Sequence, residues 1–529
     1  MGRSATLSLP TISRALIEHL ADIHRPLRLV EHAGQLVLEQ DATRSADGPP
    51  LPLAAFVPAC SLETLGDPTF RADHGLRYAY VAGAMANGIG SADIVEALGG
   101  AGMLAFFGAA GLPLAKVEAA IDRLQKNLGA TPHGFNLIHS PNEPALETGA
   151  VELYLRRGVR LVEASAYLDL TLPVVRYRVH GIERGGDGKV VAPNHVIAKV
   201  SRVEVATKFL SPPPARFLNE LVTEGAITKE QAELAARIPM AQDLTAEADS
   251  GGHTDNRPAI TLIPTMLALR DRLQAQFGYD VPLRVGAAGG IATPQSAAAA
   301  LAMGASYIQT GSVNQACRES GSSDAVRQML AQAEQADVIM APAADMFEMG
   351  VKVQVLKRGT MFAMRAAKLY ELYRGYESME KLPAAERAQL EKQLFRMPLD
   401  EIWRQTKTFF DERDPGQVER AERDPKHKMA LVFRWYLGLS SRWANSGEPT
   451  RKVDYQVWCG PAMGAFNEWV KGSFLENWEH RRVVTVALNI LYWTAVLMRA
   501  NSLRGQGVWF PSDWLPLRPM ELPELEQRL

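Results

Sequence analysis

Four short stretches of this 529-residue chain hold residue types suited to chemistry. Two place glycine where a strand is expected to end: Gly289-Gly290 in AAGGI and Gly311-Ser312 in QTGS. Glycine lets a backbone N–H approach an anion with no Cβ in the way, and a following helix start adds partial positive charge. With the Ser312 hydroxyl as a further donor, the two stretches read as a phosphate grip. The third stretch, EADSGGHTD over 247–255, turns on two glycines and then presents His253, a residue suited to proton transfer. No second histidine or cysteine stands at ligand spacing from it, so no metal site is expected. The fourth, GAMANGIGS over 83–91, brings Met85, Ala86 and Asn87 to a strand end. Its Gly88-x-Gly90 lacks the third glycine of a dinucleotide fingerprint, and its small residues would let a flat ring lie against the backbone. Asn136 in GFN and Lys199 in VIAKV add polar groups to apolar strands. A lysine there either snorkels to solvent or meets an anionic ring.

The elements that must position these residues alternate regularly. Strands are predicted at 78–86, 103–108, 134–139, 161–166, 196–200, 241–248, 283–288 and 306–310. Helical stretches follow them at 92–98, 113–128, 145–157, 172–178, 215–237, 265–277, 294–303 and 324–336. Eight strand–helix units predict a (β/α)8 TIM barrel. A doubly wound open sheet shows the same alternation, but glycines after the seventh and eighth strands favour the barrel. The barrel is assigned to 71–345, after a small N-terminal appendage over 1–70 with a hairpin at 27–39 and a linker at 46–53. From about 345 the alternation stops. A large α-helical cap is predicted over 346–510, then an irregular tail over 511–529.

Composition sets outer limits. A net charge of −2 gives no global field toward nucleic acid. Three dispersed cysteines with no CxxC pair suggest neither a disulfide framework nor zinc, which fits a cytoplasmic protein. Residues 1–20 carry no apolar run followed by a cleavage site. The apolar run over 483–498 is shorter than a membrane span and is interrupted by Asn489, so it is read as a buried core helix without membrane insertion.

Together these motifs resemble the FMN-dependent nitronate monooxygenase and FabK-type enoyl reductase superfamily. The longer stretches at 247–258, 341–350 (APAADMFEMG), 357–360 (KRGT), 434–445 (RWYLGLSSRWAN) and 454–466 (DYQVWCGPAMGAF) resemble its PfaD family. PfaD members are trans-acting enoyl reductases of polyketide and polyunsaturated fatty acid synthases. The resemblance implies FMN as cofactor and NADPH as reductant. It also implies hydride delivery to Cβ of a 2-enoyl thioester on an acyl carrier protein, with a proton added at Cα. By position, Met85, Ala86, Asn87, Asn136 and Lys199 match flavin-contacting residues, and Gly289, Gly290, Gly311 and Ser312 match the phosphate grip. His253 matches the active-site histidine, as proton donor or as a group polarising the thioester carbonyl. Asp249 stands where the superfamily often has glutamate, so no role is carried over to it. Lys357, Arg358, Lys426-His427-Lys428 and Arg481-Arg482 are the basic positions considered for phosphate or carrier-protein contact. A nitronate monooxygenase-type flavin oxidase is the alternative activity, and a homodimer is allowed but not specified.

Overall fold

In the computed structural model, residues 12–529 are described except 33, 43–50, 140 and 142, so most of the expected linker lies outside the described residues. Eight parallel strands close into a barrel. They are β1 Tyr80–Ala82, β2 Leu104–Phe107, β3 Gly134–Ile138, β4 Leu161–Ser165, β5 His195–Val200, β6 Asp243–Glu247, β7 Arg284–Ala288 and β8 Ile308–Thr310. Each pairs with the next in sequence, and β8 closes the ring onto β1. The strands are apolar runs buried on both faces, as expected where helices cover the outside of a parallel sheet.

Two differences from the predicted elements have local causes. β1 ends at Ala82 instead of running to 86, because Asn87 (φ 57°) and Gly88 (φ 73°) turn the chain back. Gly90 N–H then bonds the Met85 carbonyl at 2.9 Å, so the segment is a turn and not a strand. The helical stretch at 215–237 is two helices, Ala215–Thr223 and Lys229–Ala235, broken at left-handed Gly225 and restarted by the Thr228–Gln231 capping box.

The chain also forms two strands where helices and loops were expected. β9 (Val338–Pro342) and β10 (Lys352–Leu356) pair antiparallel, and Gly252–His253 adds to the free edge of β10. Three main helices of the cap follow: Phe362–Gly375, Leu399–Arg413 and Pro425–Ser446. Helix Val483–Gly505 is long and apolar enough to cross a membrane by length and composition, but 89% of its apolar window is buried in the protein. Asn489 inside it is not a defect: its side chain exchanges two hydrogen bonds with the Met520 backbone, both 2.8 Å. The tail therefore docks, and ends in a short helix, Leu522–Glu526.

The bottom of the barrel is held by buried charge. Arg284, 1% exposed, makes two bonds to Asp243 at 2.6 and 3.2 Å and one to Asp73 at 2.7 Å. His74 adds a 2.8 Å contact to Asp243, and His195 lies edge-on to His74. Burial, then the charges of Arg178 and His74, hold the His195 pKa down at about 4. The unfolded chain takes up this proton near 6.5, so stability is full above that pH and falls as pH drops toward 4. Urea midpoints measured between pH 4 and 7 should show that slope, and His195→Gln should flatten it. Equal slopes in the two proteins would remove His195 as the cause.

Candidate functional site

A cavity of about 670 Å³ opens at the C-terminal ends of the barrel strands. Met85, Ala86, Asn87, Asn136, Lys199, His253, Gly289, Gly290, Gly311 and Ser312 all line it. Asn87 is held by its side-chain N–H donated to the Ser441 hydroxyl at 2.8 Å. Asn136 is 5% exposed and donates to the Ser165 hydroxyl at 3.1 Å and the Glu163 carbonyl at 3.2 Å. Gly289 and Gly290 both take left-handed backbone, φ 78° and 77°. The two glycines differ in surroundings. A Cβ on Gly289 would stand 2.5 Å from the Ala248 carbonyl carbon, whereas one on Gly290 or Gly311 would meet no protein atom within 4 Å. Gly289 is thus required by packing, and Gly290 and Gly311 border open cavity space.

Lys199 does not snorkel to solvent. Its ammonium lies 3.3 Å from Glu247 and 3.9 Å from Glu163, and Glu163 is fully buried. Burial disfavours the charged lysine, but Glu247 and then Glu163 outweigh it and hold its pKa above the ordinary value. Burial pushes the Glu163 carboxyl up, against the pull of Lys199 and of the Ala84 N–H. These two carboxylates, Glu163 inside β4 and Glu247 at the end of β6, were not picked out from the sequence. A glutamate within an apolar strand is legible, but its lysine partner sits on another strand.

His253 Nε2 lies 3.2 Å from the Asp345 carboxylate. The imidazole is surrounded by protein and owes its 34% exposure to the cavity it faces. Burial works against its charged form, yet Asp345 and then Glu247 raise its pKa above the ordinary histidine value. Asp345 belongs to the segment between β9 and β10, and the β10 edge sets the turn that carries His253. The far side of that turn is pinned by Asp255, which accepts two bonds from Arg202, at 2.8 and 2.9 Å. Arg202 above all holds the Asp255 pKa down to about 2.

The cap supplies the roof. Gly460 N–H donates to the Ser312 hydroxyl at 3.2 Å, so that hydroxyl is already engaged as an acceptor. Gly251 fits under Cys459-Gly460 so closely that a Cβ would stand 2.9 Å from three backbone atoms. Arg413, Arg434, Trp435, Arg442 and Trp458 also line the cavity. Asp249 is structural: it accepts from Asn256 and from Gln354, both at 2.8 Å. Of the basic positions considered, Arg358 pairs with Asp337 at 3.0 Å and Glu334 at 3.1 Å outside the cavity lining. Arg481 is 1% exposed and bonds the Leu475 carbonyl, so it offers no docking surface. Lys426 is spent on the carbonyls of Tyr373 and Tyr376.

Comparison with known proteins matches this architecture. The family profile described as nitronate monooxygenase matches residues 72–382. That of the inserted helical domain of acyl-carrier-protein S-malonyltransferase matches residues 376–455. The chain is 51% identical over 459 residues to one of the polyunsaturated fatty acid synthase proteins of a Thraustochytrium species, covering 85% of this chain and 31% of that protein. It is 48% identical over 451 residues to polyketide biosynthesis protein PksE of Bacillus subtilis, covering 85% and 58%. Among solved structures, the enoyl reductase domain of MlnA from the macrolactin cluster of Bacillus amyloliquefaciens superposes with a TM-score of 0.80 at 42% identity. That match covers 83% of this chain and 99% of the other. The chain thus spans less than two thirds of the length of these curated relatives.

The glycine geometry separates packing from binding. Gly289→Ala should lose about 1–3 kcal/mol, from a left-handed non-glycine residue pressed against Ala248. Gly311→Ala meets no protein neighbour and should melt like the parent. Thermal unfolding of the two variants checks this, and equal melting temperatures would refute it.

Proposed function

The chain belongs to the nitronate monooxygenase family, in its PfaD-like group, and from that premise we propose that it is a flavin-dependent enoyl reductase acting on carrier-bound thioesters. The observation that carries the reading is the likeness to an enoyl reductase domain over that domain's whole length. The names of the synthase relatives support polyketide or polyunsaturated fatty acid synthesis as the setting, and an acyl carrier protein as the partner. On this reading the chain acts in trans in the cytoplasm, with NADPH as electron donor.

FMN is the cofactor proposed for the cavity. The open space beside Gly290 and Gly311 suits a phosphate held by backbone N–H groups, and Ser312 would be its side-chain contact. A flavin bound there would supply hydride chemistry between NADPH and Cβ of the 2-enoyl thioester. Met85, Ala86 and Asn87 offer the strand-end surface for a flat ring, with Asn136 and Lys199 as its polar contacts. His253 is assigned the proton for Cα. Its Nε2 is turned to Asp345, and the imidazolium that Asp345 favours carries a second N–H at Nδ1 for the substrate. The same proton could polarise the thioester carbonyl, and both roles need His253 charged.

The visible spectrum tests the whole reading. The purified protein should be yellow, bleach on adding NADPH, and recover its colour on adding an enoyl thioester. The family's name supports one other activity, nitronate oxidation. A flavin that NADPH leaves oxidised while a nitronate reduces it would replace the reductase reading with that one. Gly311→Val should fold and lose FMN, because its branched side chain fills the space proposed for the phosphate; retained stoichiometric flavin would contradict the placement.

His253→Ala should keep FMN and slow enoyl reduction by roughly 10²–10⁴-fold, the range for a lost general acid. Because the protonated form is the active one, turnover should fall as pH rises through the His253 pKa. Asp345→Asn removes the charge that raises that pKa, so the falling limb should move to lower pH. A pH–rate profile with an unmoved limb would take Asp345 out of the mechanism.

A further inference from the structure

The cavity carries a second cationic feature that the cofactor reading does not use. Arg442 lines it from helix Pro425–Ser446. Its guanidinium lies 5.8 Å from the centre of the Phe409 ring, and that of Arg413 lies 5.4 Å from the same ring. Arg413 is neutralised by Glu143, at 2.8 and 2.9 Å. Glu143 also faces Arg434 at 3.6 Å, and Arg434 reaches Glu348 at 3.5 Å. Arg413 and Arg434 therefore take up both carboxylates, and the third arginine, Arg442, is left without one. Among the described residues, Arg442 has neither an ion pair nor a hydrogen-bond acceptor. Arg442 is exposed where it meets the cavity, and partial burial, then the charge of Arg413, still hold its pKa below the ordinary arginine range. Its guanidinium reaches the cavity without a counter-charge, open to an incoming anion, and its planar donors suit a phosphate.

Topology separates this feature from the glycine cradle. Glu143, which fixes Arg413, follows β3, while Gly289 and Gly290 follow β7. In an eight-stranded ring those strands stand on opposite sides. The cavity thus has an uncharged cradle at one wall and an uncompensated arginine at the roof toward the other.

We propose that Arg442, with Arg413 beside it, binds a phosphate ester carried into the cavity by a substrate. The inference rests on the enoyl reductase reading for the identity of that substrate: the phosphate of the phosphopantetheine arm, or the 2′-phosphate of NADPH. Phe409, 40% exposed at the site, would pack against the apolar part of the same arm.

The test is equilibrium binding to the FMN-loaded protein, which needs no turnover. The parent should bind 4′-phosphopantetheine about tenfold tighter than pantetheine, or NADP+ about tenfold tighter than NAD+, neither of which reduces the flavin; about tenfold is the scale of one charge-assisted contact. Arg442→Gln should abolish whichever preference the parent shows, and that arm names the source of the phosphate. Arg358→Gln, at an arginine outside the cavity lining, should keep it. A parent with neither preference, or a preference that survives in Arg442→Gln, overturns the proposal. Enoyl thioester turnover by the parent is measured separately. If turnover is absent but the Arg442-dependent preference is present, the reductase reading fails while the phosphate site stands.

Discussion

Glu163 is fully buried inside the barrel, and much of the site is arranged to keep it there. An unpaired carboxylate at such a depth would cost several kcal/mol. Three groups on three different strands or the turn after one answer it: the Ala84 N–H just past β1 at 2.9 Å, Gln309 of β8 at 2.6 Å and Lys199 of β5 at 3.9 Å. Gln309 in turn accepts from Thr245 at 3.2 Å, and Thr245 meets the Tyr307 hydroxyl at 2.8 Å. Two glycines exist to let this network form. A Cβ on Gly83 would stand 2.3 Å from the Gln309 amide, and one on Gly286 would stand 2.2 Å from the Tyr307 ring. The polar interior thus fixes the relative height of strands whose ends form the cavity floor.

The roof is fixed by a second buried carboxylate. Asp454, 0% exposed, takes contacts from Arg365, from Arg396 and Arg451 at 3.2 Å, and from the Tyr436 hydroxyl at 2.8 Å. Thr360 bonds the carbonyls on either side of it, Val453 at 3.1 Å and Tyr455 at 2.8 Å. The three motifs KRGT, RWYLG and DYQVW are therefore one interlocked unit and contribute to the site mainly by holding Ser441, Trp458 and Gly460 over the strand ends. Removing one partner of such a cluster leaves a buried charge uncompensated. The roof is accordingly a rigid part of the site, joined to the barrel at Ser312, Gly251 and Asn87.

What the sequence revealed follows from how local each signal is. The barrel was legible because each strand and its helix are neighbours in the chain, and nine of the ten proposed site residues sit near or beyond the C-terminal ends of strands, with Asn136 inside β3. Asp345 was not legible as the partner of His253, since 92 residues separate them. The short strand Gly252–His253 is invisible for the same reason: two residues carry no periodicity, and their partner strand lies about 100 positions on. Charge was misleading in both directions. Arg481 reads as surface and is buried. Glu163 drew no reading from the sequence and anchors the site. A charged residue's role is set by the partner that folding brings to it, and that partner is seldom close in sequence.

The same two anchors divide the cavity electrically. On the floor, Lys199 stands between Glu163 and Glu247, and His253 stands against Asp345, so each cation already has its counter-charge. The glycine cradle adds only backbone dipoles and one hydroxyl. A dianionic group seated there would be held by oriented N–H groups without drawing protons from the paired side chains, because no free cation lies among the residues of the cradle. The Arg442 guanidinium, by contrast, belongs to the cap, where the carboxylates are already shared. The barrel thus keeps its charges paired around the reacting centre and leaves the unpaired one to the roof. If His253 moves a proton, as proposed, only the balance of its pair with Asp345 changes, and the charge on the rest of the floor stays as folding set it.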